Sequence, residues 1–324
     1  MIITKELFAD EISRLSIQDK RWVIGLSGGA DSLCLVLLAN EYVTENGGSV
    51  KACIVDHKLR PESSTEIIPT IDILKEHSVD YRIFVWEHPE IVGSIEQKAR
   101  AARYDFLYRH CLETGTEILM TAHHALDQWE TFFMRLSRGS SLRGLSSINP
   151  ISKFRDIQLV RPLLHFSPWD IRDTLKERFG ITEYVRDPSN DQEKFERVRW
   201  RKAYQNLAEI YGLNLKNVNR TIERLQNSNA CLDETAESLI NELFSAPYID
   251  IKKFKNLHLE MRIRILDKLI NRLSRKGQHI VSYSLLQKVA CEICLRDFTA
   301  TNVSGLVFRR DRTKNVKIYR EMRK

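Results

Sequence analysis

Apolar positions along the chain change period several times, and each change marks an element. Trp22 to Leu26 is a short uncharged run, which predicts a buried strand. Leu33, Leu35, Val36, Leu37, Leu38 and Ala39 then make a helix that is apolar nearly all round and stops near Asn46-Gly47-Gly48. Ser49 to Val55 returns to a strand pattern. The same reading predicts strands over 79–86, 117–122 and 158–164 and helices over 94–113, 126–136 and 168–179. Ser167-x-x-Asp170 supplies a capping box for the last helix. Pro69 interrupts residues 63–77, so a helix there starts late or kinks. Strand–helix alternation up to about residue 180 predicts an α/β fold with a doubly wound parallel sheet, its ligands at the carboxyl ends of the strands.

Beyond about residue 205 the strand signal stops. Residues 218–244 and 257–276 read as amphipathic helices, and 301–321 as two short strands joined by Arg309 to Asn315. Two domains are therefore expected: an α/β domain over 1–212, and a basic, mostly helical domain with a short β segment over 213–324.

Charge sharpens that division. Residues 191–324 hold 27 Lys and Arg against 16 Asp and Glu, net +11. The whole chain is +7, so residues 1–190 carry −4. This asymmetry points to a polyanion larger than a nucleotide as partner, set against an ordinary solvated basic surface. No stretch holds 18 apolar residues in a row, and the N-terminal segment is acidic where a secretory leader is basic. A cytoplasmic chain with no membrane partner is expected. Six scattered cysteines, two of them (Cys34 and Cys53) in predicted core elements, read as reduced thiols.

The chemistry starts where the first strand meets its helix, at Ser27-Gly28-Gly29-Ala30-Asp31-Ser32. A tight glycine turn opening a helix presents unpaired N–H groups and the positive dipole end, which favours an anion. Ser27 and Ser32 add hydroxyl donors. Asp31 would repel a bare phosphate and makes sense with Mg²⁺ between them. The plain reading is a strand–helix turn with Asp31 as cap. The turn lacks the lysine of a P-loop and the spacing of GxGxxG.

His123, Asp127 and Glu130 fall at i, i+4 and i+7, on one face of a helix that begins near His123. Leu126, Trp129, Phe133 and Leu136 fall on the other, expected to pack on the sheet. Two carboxylates and a histidine suit holding a cation and managing its proton. A metal site, or merely a solvated helix start, fits the spacing as well. Arg100 and Arg103 flank an apolar stripe, and Arg197, Arg199, Arg201 and Lys202 crowd one later helix. These suit phosphate contact, or ion pairs with neighbouring acids. Cys291-x-x-Cys294 has no second pair and reads as core packing.

The loop resembles the SGGxDS pyrophosphate loop of the ATP pyrophosphatase superfamily. Taken with Val55–Arg60, Ala99–Tyr104, Ala122–Thr131, Arg135–Leu145, Arg161–Leu164 and Asp187–Arg201, the order and spacing resemble the tRNA(Ile)-lysidine synthetase family over roughly residues 20–205. The resemblance implies a carbon–nitrogen ligase. ATP adenylates the wobble cytidine of a minor isoleucine tRNA with a CAU anticodon, and L-lysine then displaces AMP. It implies ATP contacts at Ser27, Gly28, Gly29, Ala30, Asp31, Ser32, Asp56, His57 and Arg103. Asp31 would hold Mg²⁺, Asp127 and Glu130 the lysine cation, and His123 would assist proton removal. Phosphate contacts to tRNA are expected from Arg197, Arg199, Arg201, Lys202, Arg309, Arg310 and Arg312, and a homodimer stays open. The chain departs from the family pattern at Leu126, Trp129 and Ser141, which puts local packing and a loop in question. The rival implied by the same loop is a tRNA thiolase, which needs reactive or cluster-binding cysteines near ATP.

Overall fold

In the computed structural model, residues 1–58, 63–88, 93, 95–185, 196–274, 281–313 and 315–320 are described. The chain divides into two units, the first comprising Met1–Ser140 and Gly144–Glu223, the second Ser141–Arg143 and Arg224–Lys324.

The first unit runs α1 (Lys5–Arg14), β1 (Arg21–Leu26), α2 (Ala30–Asn46), β2 (Ser49–Asp56), α3 (Ser63–Glu66), α4 (Ile68–Glu76), β3 (Asp80–Val85) and α5 (Ile95–Thr114). It continues through β4 (Ile118–Met120), α6 (Ala125–Leu136), β5 (Ile151–Phe154), β6 (Ile157–Val160), α8 (Pro168–Phe179) and α9 (Glu196–Tyr211), while the short α7 (Leu142–Leu145) is shared between the two units. Its sheet has the order β3-β2-β1-β4-β6-β5. All pairings are parallel except β5–β6, which is an antiparallel hairpin at the edge. Order reverses beside β1, which places the switch point between β1 and β4.

Period-2 alternation explains the layers. Trp22 and Ile24 face the core built on α2, α4 and α8, while Val23 faces the core under α5. Leu33 to Ala39 are all 0–1% exposed, so α2 is apolar all round because it is sealed all round. The box predicted at Ser167 and Asp170 caps α8 as expected. Pro69 sits in the first turn of α4, where its missing N–H costs nothing. The strand expected over 158–164 ends at Val160, because Pro162 cannot donate to a ladder. The edge strand β5 has three half-buried residues and the exposed Lys153, and carries no readable alternation.

The division between units falls inside α10 (Leu215–Leu243). The second unit continues with β7 (Phe244–Ser245), β8 (Tyr248–Ile249), α11 (Ile251–Phe254), α12 (Leu259–Leu273), α13 (Tyr283–Glu292), β9 (Ala300–Val303), β10 (Leu306–Arg310) and β11 (Val316–Arg320). The expectation of two tail strands is corrected: five strands form an antiparallel sheet in the order β7-β8-β11-β10-β9. Strands of two residues, such as β7 and β8, show no period. Arg309 and Arg310 belong to β10 and not to the connecting turn. Phe308, Val316 and Ile318 face Phe254, Leu266 and Val289 in a core of the unit's own. Among the described residues no helix is long and apolar enough to cross a membrane.

Candidate active site

Gly28 sits at φ +82°, a conformation L side chains rarely adopt. A Cβ there would stand 2.9 Å from Thr70 Oγ1 and 2.9 Å from Val185 Cγ2. The turn is therefore closed on both sides and only glycine fits. Val185 N–H donates to the Gly28 carbonyl at 3.1 Å. Ser32 Oγ accepts from Ser27 N–H at 3.1 Å and donates to the Gly29 carbonyl at 3.1 Å. The Ser27 and Ser32 hydroxyls lie 3.1 Å apart. Both serines thus brace the loop, where sequence reasoning expected them to be open donors. Gly29 is the N-cap of α2 and no side chain caps that helix, so its first N–H groups face the adjoining space.

That space is a cavity of about 670 Å³, large enough for a small-molecule ligand. Gly29, Ala30 and Asp31 form its loop wall, His124 and Leu126 the wall after β4, Trp169 and Arg172 the start of α8, and Arg201, Lys202 and Tyr204 the wall on α9. It lies at the carboxyl ends of β1, β4 and β6, as the switch-point rule requires.

Charge in the cavity is organised around α6. His124 is its N-cap in a reciprocal box with Asp127. His124 N–H donates to Asp127 Oδ2 at 2.9 Å, and His124 Nε2 lies 3.7 Å from Asp31 Oδ2. Arg201 Nε donates to Glu130 Oε1, and its Nη2 lies 3.8 Å from Asp127 Oδ1. Glu130 is 0% exposed, and its Oε2 has no hydrogen-bond partner. Burial pushes the Asp31 carboxyl above its usual range, with Asp127 adding and His124 opposing. Burial also raises Glu130, reinforced by Asp127 against the pull of Arg201. Asp127 is lowered: burial pushes it up, but His124, His123, the His124 N–H and Arg201 together outweigh it.

A second cluster follows β2. Asp56 is buried and accepts from Lys58 N–H at 2.9 Å. Arg103 Nε donates to His57 Nε2 at 3.4 Å, so Nδ1 carries the ring proton, and that atom is buried without a partner. Burial, then the Arg103 charge, pushes the His57 ring down to about 4.

A PP-loop domain family matches residues 4–207. The tRNA(Ile)-lysidine synthase of Orientia tsutsugamushi (strain Boryong) is 31% identical over 265 residues, covering 78% of this chain and 59% of that protein. That of Bradyrhizobium sp. is 30% identical over 269 residues, covering 78% of this chain and 74% of that protein.

The chain belongs to the tRNA(Ile)-lysidine synthase family of PP-loop proteins.

The match spans less than two thirds of the Orientia protein's length. The U34-tRNA thiolase NcsA from Methanococcus maripaludis, solved with its 4Fe-4S cluster, superposes with a TM-score of 0.55 at 20% identity, covering 68% of this chain and 79% of that one. That likeness concerns the fold.

Of the residues that the lysidine synthase resemblance implied, Gly29, Ala30 and Asp31 line the cavity, and Asp127 and Glu130 share the ion-pair network behind it. Asp56, His57 and Arg103 gather as the second cluster. His123 lies beside Thr121, its Nδ1 3.0 Å from that hydroxyl, and burial pushes its ring down to about 4. Its neighbour His124 is the histidine on the cavity wall. Sequence reasoning missed it because caps are sought among Ser, Thr, Asp and Asn; the doubled histidine was the available signal. Leu126 and Trp129 pack against Tyr204 and Val218, not on the sheet. Trp129 meets Tyr204 edge-on at 5.0 Å and donates from Nε1 to the Trp200 carbonyl at 3.3 Å. The basic residues of α9 were read as suiting phosphate contact or ion pairs with neighbouring acids; the helix packs on α6, and Arg201 turns inward to the acids. Arg197, Arg199 and Lys202 are exposed. Trp169 and Arg172 carried no sequence signal.

In the second unit, Arg309 and Arg312 are exposed. Arg310 Nη2 donates to the carbonyls of Ile293 at 3.0 Å and Leu295 at 2.7 Å, so it ties down a chain segment. Cys294 is half-buried and packs against the unit's core, while Cys291 is exposed. Among the described residues no group of three His, Cys, Asp or Glu is placed to hold a metal. The segments 59–60 and 187–195 of the family pattern lie outside the described residues.

Proposed function

We propose that the chain is a carbon–nitrogen ligase that joins L-lysine to the wobble cytidine of an isoleucine tRNA with a CAU anticodon, at the expense of ATP. The observation that carries this reading is one cavity lined both by an uncapped helix N-terminus and by Arg201, the partner of the buried acids Asp127 and Glu130 behind its wall. The helix N-terminus suits the phosphates of ATP and the acids suit an ammonium group. Membership of the PP-loop family supports ATP as the substrate of the loop.

In this reading the N–H groups of the turn and of α2 receive the ATP phosphates, with Ser27 and Ser32 bracing the turn. Asp56, His57 and Arg103 hold the adenosine side. The cytosine C2 oxygen attacks the α-phosphorus and pyrophosphate leaves. The lysine side-chain amine then attacks C2, the C–O bond to AMP breaks, and the amine proton is released. The product pairs with A instead of G, moving the tRNA from AUG to AUA. Asp127 and Glu130 set two carboxylates beside the paired guanidinium of Arg201, which favours an entering lysine cation. His123 stays neutral above about pH 4 and so can accept a hydrogen bond from the amine.

Asp31 fits a Mg²⁺ site. It lies on the cavity wall with 40% of its side chain accessible, and burial and Asp127 disfavour its bare charge. Mg²⁺ commonly takes one or two carboxylates plus substrate phosphates, and bound there it would neutralise charge on the leaving pyrophosphate. The exposed Lys and Arg of α9 and of the second unit, including Arg309 and Arg312, would contact tRNA phosphates.

A sulfur-transfer reading needs a reactive thiol at the site. Cys34, Cys53 and Cys111 are buried, and burial raises all three thiols, Cys53 and Cys111 to about 12. None of them lines the cavity. The test is incubation of the purified chain with ATP, labelled L-lysine and a panel of tRNA transcripts. Label is expected only in the CAU isoleucine transcript, with AMP and pyrophosphate released. Pyrophosphate release without lysine transfer to any transcript would overturn the reading.

A further inference from the structure

Trp169 opens α8, where Pro168 and the Ser167–Asp170 box hold the first turn. It is the one exposed tryptophan of five, with 44% of its surface open. A single exposed apolar side chain is ordinary. This one is not isolated: it forms part of the cavity wall that also holds Gly29 and Asp31. Its ring lies 6.1 Å from Tyr204 at 34°, and Tyr204 in turn meets the fully buried Trp129. Three rings thus run from the core to the cavity, and the last is backed by its neighbour. Arg172, one turn further along α8, and Lys202 on α9 line the same cavity.

A rigid, backed indole with cations beside it suits a flat ring that carries phosphates. Two such rings are at hand in the ligase reading, adenine and cytosine. The wall that holds Trp169 follows β6 and adjoins His124 after β4, whereas Asp56 and His57 follow β2, on the other side of β1. Those two residues are not part of the cavity wall. With the adenosine on the β2 side, the ring that reaches Trp169 is the acceptor's. RNA loops offer unpaired bases that splay out and stack on aromatic side chains.

We propose that Trp169 is the stacking platform for the unpaired target base of the RNA substrate, with Arg172 and Lys202 beside the phosphates that flank that base. This rests on the ligase reading and adds to it the residue that positions the base.

The experiment uses the full chain and an anticodon stem-loop RNA with a CAU loop, together with the same RNA lacking the wobble base. Wild type, Trp169→Ala and Trp169→Phe are compared for RNA affinity, ATP affinity and lysine transfer. Trp169→Ala should weaken binding of the intact RNA about fivefold or more, the low end for one stacked base. Trp169→Phe should recover most of that loss, and ATP affinity should stay at the wild-type value. Binding of the RNA without the wobble base should not respond to the substitution, because the partner ring is gone. Equal loss with both RNAs, no loss with either, or a loss of ATP affinity instead would overturn the proposal. If the wild type transfers no lysine but the two RNAs still respond differently, the ligase reading falls and the stacking site stands. If it transfers lysine and Trp169→Ala binds both RNAs like wild type, the stacking site falls alone.

Discussion

Gly28 and Gly29 are adjacent and chemically identical, yet their tolerances differ. Gly28 is left-handed, and a Cβ would meet side-chain atoms at 2.9 Å. At Gly29 the nearest contact is 3.6 Å. Gly28→Ala should lower stability by about 1–3 kcal/mol and reduce ATP affinity, while Gly29→Ala should leave the melting temperature near wild type. Thermal unfolding with and without ATP checks this, and equal effects would mean that the loop relaxes freely. The two depressed histidines make a second residue-scale prediction. His57 and His123 stay neutral in the fold down to about pH 4, whereas an unfolded histidine gains its proton near 6.5. The stability they contribute is complete above pH 6.5 and is lost as pH falls towards 4. Between pH 6.5 and 5 the loss should be about 1–2 kcal/mol per histidine. Denaturant midpoints at the two values should fall more for wild type than for a His57→Gln/His123→Gln variant, and parallel curves would contradict the assignment.

At the scale of elements, α6 and α9 decide the site together. Trp129 is fully buried between them, and the same contact aligns Arg201 with Glu130. Trp129→Ala should cost about 3–5 kcal/mol by opening a cavity. It should also loosen α6 and misalign Asp127 and Glu130, raising the lysine concentration needed for half-maximal transfer. Urea unfolding measures the first effect and transfer kinetics the second, and a stability loss with an unchanged lysine requirement would separate packing from binding. Much of this region was legible. The polar spacing of Asp127 and Glu130 and the capping box of α8 were visible as patterns within one helix. The partner of Glu130 was not, because Arg201 lies 71 residues further on and only the packing of α9 brings it back.

At the scale of the whole molecule, the basic excess of residues 191–324 sets the expected grip on RNA. Affinity for tRNA should fall linearly on a logarithmic salt scale. Arg309→Ala and Arg312→Ala, both at exposed positions, should each reduce the slope by up to about 1. Arg310→Ala should instead lower stability, because its guanidinium holds the Ile293 and Leu295 carbonyls. Binding measured across a salt series decides this, and unchanged slopes for the Arg309 and Arg312 variants would move the grip elsewhere.

Features that depend on neighbours along the chain could be read directly from the residues. The β1–turn–α2 unit, the parallel alternation, the caps and the phosphate loop are local patterns, because period, glycine spacing and cap chemistry act within a few residues. The family followed from the order of such patterns. Features that depend on residues far apart arose only on folding. Folding assigned the cavity wall to His124 beside His123, settled which acids Arg201 pairs with, and assembled five short strands where two were expected. The physical reason is the same in each case. Burial, pairing of charge and ladder closure are set by which distant segments meet, and no periodicity within a segment records that meeting.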